Sequence, residues 1–456
     1  MQIKSLQVIN LKIDSMAYDN SAIGRYEDFV IMVDRGAPQD EVKAEITTLR
    51  PNYARAKIIE IKKSDPNYRI EAPCKLFKVC GGCQWQHLPY EKQLEQKDLL
   101  LKNFFPELDL KEGVLKNIIG ADDIWNYRNK VQYPVRTIEE TGRLKAGYFE
   151  WHSNELVNIK HCPIQNSLFD QTVDTLRELA PKYKIFAYDG KTKTGWLRHI
   201  CVRVGLNTHE ALLTLVAVNE NLSHSQELAN EIMSKHPELV GVCFNINTKT
   251  TNVIYGEQTK VIKGCGYISE KVLDVKYKIS ATSFFQVNTL QAEKMLKVIS
   301  DYLKLNGQEI VLDAYCGVGL ISLFLAKQAK RVIGIEEVKL SIDDALFSGK
   351  ENSTNNVLFI NGKVENKMKD LLEANKPEIL ILDPPRAGCS KQILDNIPRF
   401  VKKIVYVSCN PSTLVRDLKI LKEKEFILKS IQPIDMFPHS YHIECIAFLQ
   451  RGETIY

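Results

Sequence analysis

The chain has 456 residues, of which 44% are hydrophobic and 26% charged, with 61 Lys or Arg against 56 Asp or Glu. That length is more than one ordinary core can use, and the composition is that of a soluble multidomain protein. No run of about 18 apolar residues occurs, which argues against a spanning helix and any membrane partner. The start, Met1-Gln-Ile-Lys-Ser, lacks the apolar core of a secretion signal, so a cytoplasmic protein is expected.

Residues 1–64 hold short alternating runs at Ser5-Leu-Gln-Val-Ile, Phe29-Val-Ile-Met-Val, Glu41-Val-Lys-Ala-Glu-Ile and Arg55-Ala-Lys-Ile-Ile-Glu-Ile. Breaks at Gly24, Gly36-Ala37-Pro38 and Pro51-Asn52 separate them, and the spacing predicts a small OB-like β-barrel. From Arg50 to Lys78, eight Lys or Arg stand against Glu60, Asp65 and Glu71, with Tyr53 and Tyr68 interleaved. Such a stretch suits a phosphate backbone and stacked bases, or equally a solvated face. The net charge of +5 does not itself imply nucleic acid.

Residues 65–270 read as an α+β domain. Cys74, Cys80 and Cys83 cluster near its start, and His161-Cys162-Pro163 offers a fourth cysteine, next to a proline as beside many metal clusters. Eleven cysteines in a reducing compartment favour metal ligation or catalysis over disulfides. Those at 201, 243, 265, 316, 389 and 445 are read as small hydrophobes. A helix is predicted from about Tyr90 to Phe105, within a segment at 90–118 expected to pack on the last domain. Strand candidates follow at Lys130-Val-Gln-Tyr-Pro-Val, His199-Ile-Cys-Val-Arg-Val, Glu210-Ala-Leu-Leu-Thr-Leu and Gly241-Val-Cys-Phe-Asn-Ile.

Residues 271–456 alternate strands with helices, which implies a parallel, doubly wound, Rossmann-like sheet. Asp313-Ala-Tyr-Cys-Gly-Val-Gly319 follows the first strand and opens a helix, and Gly317 and Gly319 let backbone approach a ligand. Glu336 ends the next strand, where a carboxylate can grip ribose hydroxyls. Ser322 stands where a dinucleotide motif has its third glycine, and no Walker lysine follows. An adenosyl ligand with a sulfonium and no phosphate fits, which is S-adenosyl-L-methionine; otherwise the glycines only make a turn.

Asp383-Pro384-Pro385-Arg386 and Ser408-Cys409-Asn410-Pro411 each end a buried-strand pattern, so both point into one crevice. Cys409 precedes a helix expected near Leu414, with Ser412-Thr413 as its cap, a setting that favours thiolate. Cys389 is the rival thiol. Glu444 starts a late apolar run, after a loop Phe437-Pro-His-Ser-Tyr-His442 expected to return to the crevice.

Together, Ser283-Phe-Phe-Gln-Val-Asn288, Asp313–Gly319, Asp383–Arg386, Ser408–Pro411 and His442-Ile-Glu444 resemble the S-adenosylmethionine-dependent RNA uracil-C5 methyltransferases. The resemblance spans nearly the whole chain, with a TRAM-like barrel at Gly24-Arg-Tyr-Glu-Asp-Phe-Val30 and the block Cys80-Gly-Gly-Cys-Gln-Trp-Gln-His87. It implies that Cys409 adds to C6 of uracil and Glu444 removes the C5 proton. By the same resemblance Gln286, Tyr315, Glu336 and Asp383 contact cofactor, beside Asp313, Gly317 and Gly319, and Phe284 packs on the target base. Leu320 stands where some relatives carry asparagine. Cys74, Cys80, Cys83 and Cys162 would hold a [4Fe-4S] cluster, with four-thiolate zinc as the alternative. The transfer-RNA branch is expected to lack barrel and cluster cysteines, so the resemblance implies 23S ribosomal RNA as partner, with the product 5-methyluridine. No feature calls for an obligate protein partner. The competing readings are the same chemistry on transfer RNA, a non-catalytic iron–sulfur RNA-binding protein, and an amine methyltransferase that leaves Cys409 idle.

Overall fold

The computed structural model describes residues 3–19 and 21–452. Strands β1 (Val8–Met16), β2 (Ser21–Tyr26), β3 (Phe29–Asp34), β4 (Glu41–Leu49) and β5 (Tyr53–Lys63) close a barrel in the order β1-β2-β3-β5-β4. Strict alternation builds it: Ile9, Leu11 and Ile13 of β1 point inward between exposed neighbours. The first strand starts later than expected, and β2 was not anticipated. Gly24 lies inside β2 instead of breaking the chain, because a side chain there would come within 2.5 Å of the Lys12 carbonyl oxygen.

After helix α1 (Tyr90–Phe104), the chain runs through β6 (Lys130–Thr137), β7 (Leu144–Ala146), α2 (Ser167–Leu179), β8 (Leu197–Val204), β9 (Ala211–Ala217), α3 (Ser225–Lys235), β10 (Leu239–Ile246) and β11 (Gln258–Gly264). These strands form one sheet in the order β11-β10-β9-β8-β6-β7, antiparallel except for the pair β9 and β10. A hairpin, β12 (Tyr267–Val272) and β13 (Val275–Ser280), crosses the boundary expected at residue 270.

The last unit comprises α4 (Thr289–Leu303), β14 (Ile310–Ala314), α5 (Leu320–Ala326), β15 (Arg331–Glu336), α6 (Lys339–Glu351), β16 (Val357–Asn361), α7 (Val364–Asn375), β17 (Ile379–Leu382), α8 (Lys391–Asp395), β18 (Lys403–Ser408), α9 (Pro411–Glu423), β19 (Phe426–Ile434) and β20 (Glu444–Arg451). Its sheet order is β16-β15-β14-β17-β18-β20-β19. The order reverses between β14 and β17, so the crevice opens beyond their carboxyl ends. The sheet is not wholly parallel, since β20 runs antiparallel to both β18 and β19. That reversal brings the start of β20 to the end of β18.

One apolar core joins the barrel interior (Ile13, Ile31) through Trp85 and Leu101 to Leu380 and Tyr406 of the last sheet. Segment 114–119 continues the attachment, with the Lys116 amide donating to the Ile431 carbonyl at 2.9 Å. A polar pin secures the barrel. Asp40, 0% exposed, accepts from Arg69 Nε at 3.0 Å and Nη2 at 2.6 Å and from the Ala37 amide at 2.8 Å. Asp40→Ala leaves that guanidinium without its counter-charge and should destabilise the chain by about 3 kcal/mol in chemical denaturation. A loss under about 1 kcal/mol, the range of exposed pairs, would show that the pin is dispensable.

Candidate active site

Beyond β14 the backbone turns sharply: Tyr315, Gly317 and Gly319 have φ of 68°, 56° and 83°. The turn faces the end of β17 and leaves a cavity of about 370 Å³. Phe284, Gln286, Asp313, Tyr315, Gly317 and Asp383, all singled out in the sequence, line it. Two expected contacts stand differently. Gly319 caps α5, where a side chain would meet the Phe359 ring at 2.9 Å. Glu336 accepts the Gly317 amide at 3.1 Å and the Val338 amide at 2.8 Å, so its carboxylate shapes the turn. Leu320 is among the lining residues. Phe285, Cys316, Val318 and Ile321 add apolar lining, a role their hydrophobic character does not announce in the sequence.

The cavity is acidic. One Asp313 oxygen accepts from the Ser322 hydroxyl, and the other is buried without a partner. Burial pushes Asp313 up to about 7, helped by the nearby Asp383 and Glu336 charges. Burial likewise pushes Asp383 up to about 7. A ligand bearing positive charge would relieve both. The orphan oxygen and the acidic lining fit a sulfonium nucleoside and disfavour a phosphate.

Cys409 follows β18 directly. Helix α9 begins three residues before Leu414, at Pro411, because Asn410 caps it by accepting the Ser412 amide at 3.1 Å and proline suits the first helical position. Ser408 is paired with Cys445 across the sheet. One step outward, the register sets Cys409 beside Glu444, which is 4% exposed. Burial raises the Cys409 thiol and the Glu444 carboxylate adds to this, while Arg386, hydrogen-bonded to the thiol, opposes it. Glu444 is raised well above its usual range by burial and then by Asp383, again against Arg386.

Arg386, which ends the Asp383-Pro-Pro-Arg motif and has no role legible from that motif alone, is thus the cation beside these groups. Asn410 Nδ2 and the Thr413 hydroxyl hold its carbonyl at 3.2 and 3.3 Å, and His442 Nδ1 lies 3.3 Å from Nη2. The loop before β20 therefore does return to the crevice. The barrel reaches it too, through Tyr18, whose hydroxyl donates to the Cys409 carbonyl at 3.4 Å. Cys389 is buried elsewhere, its amide held by Asp417 at 2.9 Å and its thiol pushed up to about 12 by burial.

Cys74, Cys80, Cys83 and Cys162 line one further cavity, of about 360 Å³, with Phe77, Tyr148 and Ile164. All four are free thiols. Among the described residues, no group of three or more His, Cys, Asp or Glu side chains is arranged to hold a metal ion. Arg35 faces Cys80, and Arg128 faces Cys83 and Cys162. The basic stretch is partly spent within the fold, since Arg55 pairs with Asp19 at 2.7 Å, Lys57 with Glu45 at 3.0 Å and Arg69 with Asp40. Lys62, Lys63, Lys75 and Lys78 remain exposed. No helix among the described residues is long and apolar enough to cross a membrane.

The chain matches the family described as tRNA (uracil-5-)-methyltransferase over residues 89–452 and the TRAM domain over residues 5–59. An uncharacterized RNA methyltransferase of Bacillus cereus is 36% identical over 98% of both chains, and one of Halalkalibacterium halodurans is 36% identical over 97% of both. The crystal structure of Pyrococcus abyssi tRNA (uracil-54, C5)-methyltransferase with S-adenosyl-L-homocysteine has 26% identity and a TM-score of 0.78. It covers 97% of this chain and all of its own. Fold, cavity and matched sequence agree: the chain belongs to the S-adenosylmethionine-dependent RNA uracil-C5 methyltransferase family and carries a TRAM domain.

Proposed function

We propose that this chain is a cytoplasmic enzyme that methylates C5 of a uridine in 23S ribosomal RNA, through a covalent bond between Cys409 and C6. The observation that carries the chemistry is the pairing of a thiol and a buried carboxylate on adjacent strand ends, one cation between them, beside an acidic cavity. Uracil C5 is a weak carbon nucleophile. Addition of the Cys409 thiolate to C6 moves electrons onto C5 and O4, and the resulting enolate takes the methyl group. S-adenosylmethionine supplies that methyl as a sulfonium electrophile. Glu444 then takes the C5 proton, the C6–S bond breaks, and the thiolate is regenerated. Phe284, 62% exposed at the cavity rim, offers a face for a uridine splayed out of its stack.

Two observations bear on the RNA. The four-cysteine cavity supports the ribosomal reading, by its resemblance to that branch. The Pyrococcus abyssi enzyme, a transfer-RNA uracil-54 methyltransferase, favours transfer RNA. Mapping 5-methyluridine in both RNAs from cells lacking this protein decides between them. A site lost only from transfer RNA would overturn the ribosomal assignment, and unchanged methylation in both would leave the non-catalytic reading.

We also infer that Cys74, Cys80, Cys83 and Cys162 hold a [4Fe-4S] cluster. Four thiols spread around a cavity, with Arg35 and Arg128 to balance thiolate charge, suit a multi-iron group better than a single zinc ion. Anaerobically purified protein should contain about four irons per chain. Stoichiometric zinc without iron would decide for the alternative.

The thiol's raised pKa sets a pH dependence. Thiolate is scarce at neutral pH, so covalent adduct formation with 5-fluorouridine RNA should rise about tenfold per pH unit and still climb past about pH 8.5. Arg386→Gln removes the cation that favours thiolate and should shift that limb upward. Cys409→Ala should form no adduct yet bind S-adenosyl-L-homocysteine as the wild type does. An adduct on Cys389 would sink the assignment.

A further inference from the structure

The loop between β19 and β20 carries His442 and leads into Glu444, yet little of what holds it comes from its own strands. At its centre His439 is 2% exposed and takes a left-handed backbone, φ 67°. Its carbonyl oxygen accepts both the Gln84 and Trp85 amides, each at 2.9 Å. Its amide donates to Gln93 Oε1 at 2.8 Å, and Gln93 Nε2 lies 3.2 Å from its Nδ1. Trp125 stacks on its ring with centroids 3.9 Å apart. On either side, Lys97 Nζ donates to Asp435 at 2.6 Å and Tyr127 donates to the Pro438 carbonyl at 3.2 Å.

The two amides on the His439 carbonyl belong to the residues that directly follow Cys83. The same segment folds back on the thiol cavity: Gln86 accepts the Cys74 amide at 3.2 Å and hydrogen-bonds the Cys83 side chain. One short stretch, Cys80–His87, therefore has thiols at one end and the grip on the active-site loop at the other. A left-handed histidine with a doubly used carbonyl is held by its surroundings, since non-glycine residues avoid that conformation.

We propose that His439 is the positioning residue for Glu444, and that it takes its position from the cysteine-bearing segment, so that the state of the thiol site sets the rate of RNA release. This rests on the reading of Glu444 as the base that ends the covalent complex. Loosening His439 leaves Cys409 on its own strand and helix cap, so addition to C6 proceeds. The Glu444 backbone stays paired with Ile434 of β19, but proton removal from C5 lags because the loop leading into the carboxylate no longer fixes its approach to the base.

Gln93→Leu, close in volume, deletes the side-chain bonds to His439. With ordinary uridine RNA and S-adenosylmethionine, it should accumulate covalent complex at least about tenfold over wild type, the effect of one buried polar group left unpaired. Adduct formation with 5-fluorouridine RNA and affinity for S-adenosyl-L-homocysteine should stay within about twofold of wild type, a split that a general loss of structure would not give. In parallel, Cys83→Ala should speed amide exchange in residues 436–443 about tenfold while residues 29–34 of β3 stay protected. Should Gln93→Leu not fold, Trp125→Leu removes the stacking instead and is held to the same criteria. Normal release by the folded variant while Glu444→Gln accumulates complex would overturn the inference alone, as would unchanged exchange in Cys83→Ala. Failure of Glu444→Gln to accumulate complex would overturn the base assignment, and this inference with it.

Discussion

Arg386 is the interaction on which the active site depends. Three acidic groups, Asp383, Cys409 and Glu444, share a crevice in which Glu444 is buried and the other two half-buried, and burial drives each toward its neutral form. Left to themselves they would lean toward their protonated, less reactive forms. A guanidinium does not titrate in the working range, so it is a fixed charge against that desolvation. Its backbone is fastened by Asn410 and Thr413, the residues that start α9. The helix that follows Cys409 thus also positions the cation beside its thiol. The acidic cavity next door has the complementary need, since Asp313 and Asp383 gain from a positive ligand. Cofactor and arginine therefore act in one direction, toward ionised carboxyls and thiol.

The second constraint is that this crevice is built by several units together. The Lys97–Asp435 pair is 0% exposed at both side chains and joins α1 to the loop before Glu444. Such a pair is a weak source of stability, but it specifies geometry, because any other docking strands two charges in the core. The barrel shares its hydrophobic core with this region and reaches the Cys409 carbonyl through Tyr18. Removing the barrel would therefore expose core and disturb the Cys409 loop as well as weaken any grip on RNA. The barrel cannot be treated as a detachable RNA-binding appendage.

What was legible in the sequence follows from what is local. The turn Asp313–Gly319, the Asp383 block and the Cys409 block each sit at the end of an apolar strand, and the rule that ligands bind at strand ends places them together. The family resemblance supplied roles for the residues. Features that depend on distant partners stayed hidden. Gln93 and His439 are 346 residues apart. The Cys409–Glu444 juxtaposition needs β20 to run antiparallel, which no motif announces. Strand β2 was lost because its glycine reads as a break, when the cause is a neighbouring carbonyl. The basic stretch looked uniform although Arg55, Lys57 and Arg69 are neutralised by acids from other strands and turns.

That last point bears on how RNA would be held. Counting charges along a sequence treats each lysine and arginine as available to phosphate, yet a cation already paired brings its own acid to the surface. Arg69 is committed to a buried carboxylate, and Arg55 ties β5 to Asp19 and Asp34. The exposed lysines at 62, 63, 75 and 78 run from the end of β5 to the edge of the thiol cavity. Counterion release, and with it the salt dependence of binding, is governed by charges of that kind and not by formal net charge. The same segment that fastens the active-site loop thereby begins in a run of exposed cations, which would place RNA contact, thiol site and catalytic loop on one continuous stretch of chain.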